Sequence, residues 1–176
     1  VFDLASSVTG LDLAALCFEE NDRLDITEYT QIAMLTVEAA IELVMEQQDL
    51  RPDYAAGLSL GEYGALIASK ALDLADAFRV VRKRGIYMQE AVPSGGAMAA
   101  VLGLSADAAE QACEQTQGTV SVANYNCPGQ IVITGEQAAV EKAGEACKAA
   151  GAKRIMPLKV SGPFHSKMLE PAGEKL

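Results

Sequence analysis

A serine between two glycines is the feature that most restricts how this chain can fold. Gly57-Leu58-Ser59-Leu60-Gly61 follows the short apolar run Tyr54–Gly57 and precedes a helical pattern from Glu62 to Ala71. A strand, a sharp turn and a helix in this order form a nucleophile elbow, which exposes a serine Oγ at the carboxyl edge of a sheet. The helix N-terminus behind it offers N–H groups to an oxyanion. The pattern predicts an α/β fold with Ser59 as nucleophile, although an ordinary glycine-rich turn remains an alternative.

A serine nucleophile needs a base, and the chain contains one histidine, His165. It follows Val160-Ser161-Gly162-Pro163-Phe164, directly after a predicted strand, where a loop could hold it at a sheet edge. A histidine in such a loop more often has a structural role. The elbow upstream favours catalysis, so His165 is the candidate general base.

Arg84 is a candidate for binding an anionic group. When residues 74–88 are placed on a helix at about 100° per residue, Arg84 falls within the apolar arc, whereas Arg82 and Lys83 fall outside it. The arc consists of Leu74, Ala77, Phe78, Val81, Gly85 and Met88. An inward arginine needs an anionic partner, because an unpaired buried charge is costly. That partner is either an internal acid or a substrate carboxylate bound by both arms of the guanidinium.

The remaining periodicity predicts two subdomains. Long helices are expected over Thr27–Gln48 and Asp73–Glu90. The later pattern predicts six elements in the order βαββαβ: Ala97–Gly103, Ser105–Gln115 (with Ser105 as N-cap), Thr119–Tyr125, Gln130–Thr134, Glu136–Ala150 and Lys153–Val160. That order indicates a ferredoxin-like small subdomain, 97–159, inserted into a larger catalytic subdomain formed by 1–96 and 160–176.

Composition restricts the partners. The formal net charge of −10 over 176 residues argues against nucleic acid. No apolar stretch is long enough to cross a bilayer, so no membrane contact is expected. The four cysteines lack metal-ligand spacing, which predicts free thiols in a reducing cytoplasm and no metal site. Residues 1–78 carry a balance of −12 and residues 79–176 a balance of +2, so an anionic partner is expected at the second half.

Four segments together resemble the malonyl-CoA:acyl carrier protein transacylase family of fatty acid synthesis. They keep the order of the family's motifs and spread over nearly the whole chain: Gly57-Leu-Ser-Leu-Gly-Glu-Tyr63, Lys83-Arg-Gly-Ile-Tyr-Met-Gln89, Asn124-Tyr-Asn-Cys-Pro-Gly-Gln130 and Ser161-Gly-Pro-Phe-His-Ser166. The chain is also similar to acyltransferase domains of polyketide synthases. The resemblance implies an α/β-hydrolase-like large subdomain. It implies malonyl-CoA and acyl carrier protein as partners, a cytoplasmic monomer, and no cofactor.

The resemblance also implies roles for single residues. Ser59 would carry the malonyl group after His165 takes its proton, and Arg84 would bind the malonyl carboxylate. The N–H of Leu60 would donate to the oxyanion, and Phe164 would favour an unbranched acyl group. The family's N-terminal Gly-Gln-Gly segment and C-terminal region have no counterpart in these residues. We therefore expect truncation at both ends and weak activity from the 176 residues alone.

Two other classes remain open. A serine esterase or thioesterase-type hydrolase shares the elbow but gives Arg84 no role. A non-catalytic module that only docks acyl carrier protein would not need Ser59 and His165. Because acyl carrier proteins are generally acidic, docking is expected at basic positions of the second half. These positions are Lys148, Lys153, Arg154, Lys159 and Lys167.

Overall fold

The computed structural model describes residues 1–160 and 162–176, which form two compact units, 1–87 and 88–175. The first unit is helical, and α5 continues past its end. Its elements are α1 Phe2–Thr9, α2 Leu13–Phe18, a 3₁₀ turn Arg23–Asp25, α3 Thr27–Gln47, α4 Gly61–Ala68 and α5 Leu74–Ala91. The predicted helices are confirmed to within a few residues at each end.

Helix α3 supplies much of the core of the first unit. Ile32, Leu35 and Ala39 recur at helical spacing and are buried in one cluster with residues such as Phe78. The apolar pattern along the helix continues to Leu43, but that side chain is 44% exposed. Among the described residues, the buried cluster extends no further along α3 than Ala39.

The predicted strand Tyr54–Gly57 is wrong. The segment is not part of a strand, and the Tyr54 side chain is 94% exposed. A segment forms a β-strand only when its backbone N–H and C=O groups hydrogen-bond to a neighbouring strand. The strand pairs of the described residues all lie between residues 96 and 157, so nothing there pairs with this segment.

Helix α4 also ends earlier than its apolar pattern suggests. Lys70 takes a φ of 60°, and its N–H bonds to the Ile67 carbonyl while the Ala71 N–H bonds to the Leu66 carbonyl. This pair of hydrogen bonds is a Schellman cap, which stops a helix and satisfies its last carbonyls.

The second unit contains β1 Gly96–Leu102, α6 Ala106–Glu114, β2 Val120–Cys127, β3 Gln130–Glu136, α7 Gln137–Ala149, β4 Arg154–Pro157, a 3₁₀ turn Lys167–Leu169 and α8 Glu170–Lys175. The predicted order of elements is confirmed. The strands form a four-stranded antiparallel sheet in the order β2-β3-β1-β4. Strand β4 is shorter than the predicted Lys153–Val160, because only Arg154–Pro157 pairs with β1.

Side chains that point to one face of the strands, at every second position, build the core of the second unit. Ala99 and Val101 of β1 and Ile133 of β3 are buried in one cluster with residues of α6 and α7. Ser105 caps α6, as predicted, because its Oγ accepts from the Ala108 N–H at 3.4 Å. The sheet with its two helices therefore forms a self-contained packing unit.

Candidate active site

Ser59 lies on a strained turn directly before α4. Its φ is 54°, a left-handed conformation that non-glycine residues seldom adopt. A Cβ added at Gly57 would lie 2.0 Å from the carbonyl carbon and oxygen of Gly61, so only glycine fits there. At Gly61 itself, an added Cβ would meet no atom within 4 Å. A close backbone approach is therefore present at Gly57 and absent at Gly61.

The turn leaves one backbone N–H beside the serine without a hydrogen-bond acceptor among the described residues, that of Leu60. The Gly61 N–H bonds to the Leu58 carbonyl at 3.0 Å, and the Glu62 N–H bonds to the Ser59 carbonyl at 3.4 Å. Within the described part of the chain, no hydrogen bond uses the Leu60 N–H. This N–H belongs to the residue after Ser59, at the N-terminal end of α4, where the helix dipole favours negative charge.

Arg84 contacts Ser59 directly. Its Nη2 donates to Ser59 Oγ at 2.9 Å, and its Nη1 donates to Gln31 Oε1. Its Cζ lies 5.8 Å from the centre of the Tyr63 ring, a cation–π distance. The inward direction predicted from the helical arc is thus observed, and it brings Arg84 to the serine.

The partners of Arg84 are neutral. None of the described carboxylates lies within salt-bridge distance of it, so the internal ion pair considered from the sequence is not observed. Burial lowers the pKa of Arg84, while its interactions with Tyr63 and Glu62 act in the other direction. An arginine remains protonated despite such a shift. The charge is held near Ser59 without being neutralised, which suits it to an anionic ligand.

Close packing of α5 on the first turn of α3 fixes the position of Arg84. A Cβ at Gly85 would lie 2.9 Å from Glu28 Cα, so the two helices meet at backbone distance. Beside it, Arg82 donates to the Glu28 carbonyl at 2.8 Å and to its carboxylate at 3.0 Å. Arg82, which the helical arc placed outside the apolar face, therefore fastens the two helices together.

Phe164 and His165 lie in the second unit, on a turn between Pro163 and Ser166. The Ser166 N–H bonds to the Pro163 carbonyl at 3.3 Å, and His165 takes a φ of 60° with an exposed side chain. A Cβ at Gly96 would lie 2.3 Å from Pro163 Cδ, so the glycine lets this loop pack on the start of β1. Ser161, part of the motif that contains His165, lies outside the described residues.

Comparison with known proteins identifies the family. Residues 4–176 match the family model described as acyl transferase domain. The chain belongs to the acyl transferase family. It is 48% identical to the malonyl CoA-acyl carrier protein transacylase of Bacillus subtilis, over all of this chain and 57% of that protein. It is 49% identical to the Escherichia coli K12 protein of the same name, over 99% of this chain and 58% of that one.

Solved structures agree. A malonyl-transacylase in complex with a type II PKS acyl-carrier protein matches this chain at a TM-score of 0.95 and 47% identity, over 99% of this chain and 58% of that one. The Clostridium perfringens malonyl CoA-acyl carrier protein transacylase matches at 0.93 and 44% identity, over 99% and 56%. The chain thus spans less than three fifths of the length of these relatives. The predicted family resemblance is confirmed.

The structure brings Ser59, Leu60 and Arg84 together within the first unit and describes Phe164 and His165 in the second. Gln31, which contacts Arg84, was missed from the sequence. The sequence marks Gln31 in one way: it is a polar residue four positions before Leu35, on the face of α3 that is buried. The described residues contain no group of acidic, histidine and cysteine side chains able to hold a metal ion. None of their helices is long and apolar enough to span a membrane.

Proposed function

We propose that the protein transfers a malonyl group from coenzyme A to the phosphopantetheine thiol of an acyl carrier protein, through a malonyl-serine. The observation that carries the proposal is the hydrogen bond from Arg84 to Ser59 Oγ, made by a guanidinium without an ionic partner among the described residues. A cation beside the nucleophile suits an acyl group that bears its own carboxylate. The names of the relatives agree with this substrate.

In the proposed reaction, His165 takes the hydroxyl proton as Ser59 Oγ attacks the thioester carbonyl. The Leu60 N–H stabilises the oxyanion that forms. The C–S bond then breaks, and the imidazolium returns the proton to the departing thiolate of coenzyme A. In the second half, His165 deprotonates the carrier thiol, which attacks the serine ester and restores Ser59. Arg84 binds the malonyl carboxylate throughout, and Phe164 favours an unbranched acyl group.

Backbone strain supports the assignment of Ser59 and His165. Four described non-glycine residues have a positive φ, and two of them are Ser59 and His165; the others are Asp49 and Lys70. Such conformations cost about 1–3 kcal/mol each and tend to persist where function requires them. Lys70 already has a structural explanation as a helix cap. The strain at the serine and histidine is explained if each side chain must be presented to a substrate.

The finer architecture follows from the same proposal. We assign residues 97–159 to a ferredoxin-like subdomain, which the order β2-β3-β1-β4 and the antiparallel pairing support. Residues 1–96 and 160–176 would belong to an α/β-hydrolase-like catalytic subdomain. Acyl carrier protein would dock on the second unit, where the proposed basic residues are exposed: Lys148, Lys153, Arg154, Lys159 and Lys167. A cytoplasmic monomer without cofactor completes the proposal.

Polyketide synthesis is the second candidate pathway, because one similar structure pairs a malonyl-transacylase with a type II PKS carrier protein. The chemistry at Ser59 would be the same in both pathways. A serine esterase is less well supported, since it leaves the Arg84–Ser59 contact without a purpose.

The test compares malonyl-CoA with acetyl-CoA as donors for the protein expressed from its complete reading frame. Arg84→Ala should lower the preference for malonyl by about 100-fold, since a charge-assisted bidentate contact is lost. Arg79→Ala is the matched control, because Arg79 lies on the same helix and forms an exposed pair with Asp76. Unchanged malonyl preference in Arg84→Ala would refute the proposal, as would fast hydrolysis of the acyl-enzyme without a carrier thiol.

A further inference from the structure

We propose that Gln31 is a positioning residue that fixes the Arg84 guanidinium in the orientation that binds the substrate carboxylate. The inference rests on the proposed function of Arg84. Gln31 lies on the buried face of α3 and is 7% exposed, yet its amide oxygen accepts a hydrogen bond from Arg84 Nη1. A buried polar side chain is costly unless it is hydrogen-bonded, so this contact accounts for its place in the core.

Two contacts from two different segments define the plane of the guanidinium. Nη1 bonds to Gln31 on α3, and Nη2 bonds to Ser59 on the turn before α4. An arginine side chain has many rotamers, and its planar fork is useful for binding only when that freedom is already restricted. With one N–H of each Nη engaged, three of the five donors of the guanidinium remain for a ligand.

The neutrality of Gln31 matters as much as its position. A carboxylate at this place would fix Arg84 equally well, but it would neutralise the charge and compete with the substrate. An amide oxygen holds the guanidinium and leaves its charge available. The packing of Gly85 against Glu28, one turn before Gln31, sets how closely α5 approaches α3 and hence whether the contact forms.

The experiment measures kcat and KM for malonyl-CoA and acetyl-CoA in Gln31→Met, expressed from the complete reading frame. Methionine has similar length and no amide oxygen. We expect the malonyl preference to fall about tenfold through a higher KM for malonyl-CoA, with acetyl transfer changed less than about twofold. Thr36→Val is the matched control: Thr36 is buried on the same helix, and its hydroxyl bonds only to the Ile32 carbonyl of α3, at 2.7 Å. This control should keep the malonyl preference.

Gln31→Glu distinguishes the effect of holding the Arg84 guanidinium in place from the effect of leaving its charge un-neutralised. If Gln31→Met does not fold, this variant tests the inference by itself. It keeps an acceptor oxygen for Arg84 but adds a negative charge. We expect a larger loss of malonyl transfer than in Gln31→Met and unchanged acetyl transfer. Equal loss for both donors, in a variant that melts at the normal temperature, would make Gln31 merely structural and overturn the inference. An unchanged malonyl preference would also overturn it. Absence of malonyl preference in the unaltered protein would instead refute the proposed function.

Discussion

The two units differ in how completely contacts among the described residues pair their backbone segments and cover their apolar side chains. In the second unit all four strands pair, and its core is lined by α6, α7 and the sheet. In the first unit the segment 54–57 has no strand partner there, and α3 exposes apolar side chains such as Met34, Ile41 and Val44. The nucleophile and the arginine belong to this less completely covered unit. The comparison indicates that the sheet and helices of the second unit form a packing scaffold, whereas strained turns with candidate catalytic residues occur in both units, at Ser59 and at His165.

The largest expected effect concerns the strained turn. Ser59→Ala should reduce malonyl transfer by at least about 1000-fold, because no other group replaces the nucleophile. Ser69→Ala is the control, since Ser69 is exposed and its hydroxyl bonds only to the Leu66 carbonyl of its own helix, at 3.1 Å. Transfer is measured with purified acyl carrier protein. Substantial activity in Ser59→Ala would remove the serine from the mechanism.

Core truncation tests the difference in packing between the units. Ile133→Ala in the second unit should lower the free energy of unfolding by about 2–5 kcal/mol, because its side chain is fully buried. Ile41→Ala, at an exposed site of α3, should change it by less than about 0.5 kcal/mol. Urea unfolding of residues 1–176 measures both. Equal losses would mean that Ile41 is buried in the folded protein, and the comparison would fail.

The two glycines of the elbow form a matched pair. Gly57→Ala should destabilise the protein by about 1–3 kcal/mol, because the new methyl group would overlap the Gly61 backbone. Gly61→Ala should change stability by less than about 1 kcal/mol, since its site is open and alanine favours the helix. Thermal melting of both variants checks the prediction. A Gly57→Ala variant as stable as Gly61→Ala would contradict the tight turn.

The sequence predicted what depends on local spacing. The sharp turn at Ser59 and the helix after it, the inward direction of Arg84 and the element order of the second unit follow from periodicity and turn residues. Two features could not be predicted because they depend on distant partners. Segment 54–57 is not a strand, because a strand needs a neighbouring strand to pair with, whatever its own apolar residues favour. The contact of Gln31 with Arg84 joins α3 to α5, and a glutamine among apolar residues does not reveal which donor it meets.

The smallest effect concerns charge. The first 78 residues carry a balance of −12, and the basic residues proposed for docking are in the second unit. Reversal of Lys153 or Arg154 to Glu should weaken binding of acyl carrier protein about threefold to tenfold at low salt, and less at high salt. Lys70→Glu, which replaces a first-unit lysine paired with Glu42 and Glu46, should weaken it less. Equal effects at all three sites would indicate a general charge effect rather than a docking surface.

The most direct test of the Ser59–Arg84 assignment is a structure of the acyl-enzyme trapped with malonyl-CoA. The ester should be on Ser59 Oγ, and the malonyl carboxylate should accept hydrogen bonds from Arg84 at about 2.8 Å. Gln31 should still accept from Nη1 in that state. A malonyl group on another residue, or a carboxylate directed away from Arg84, would contradict the assignment of this pair as the site that selects and carries the acyl group.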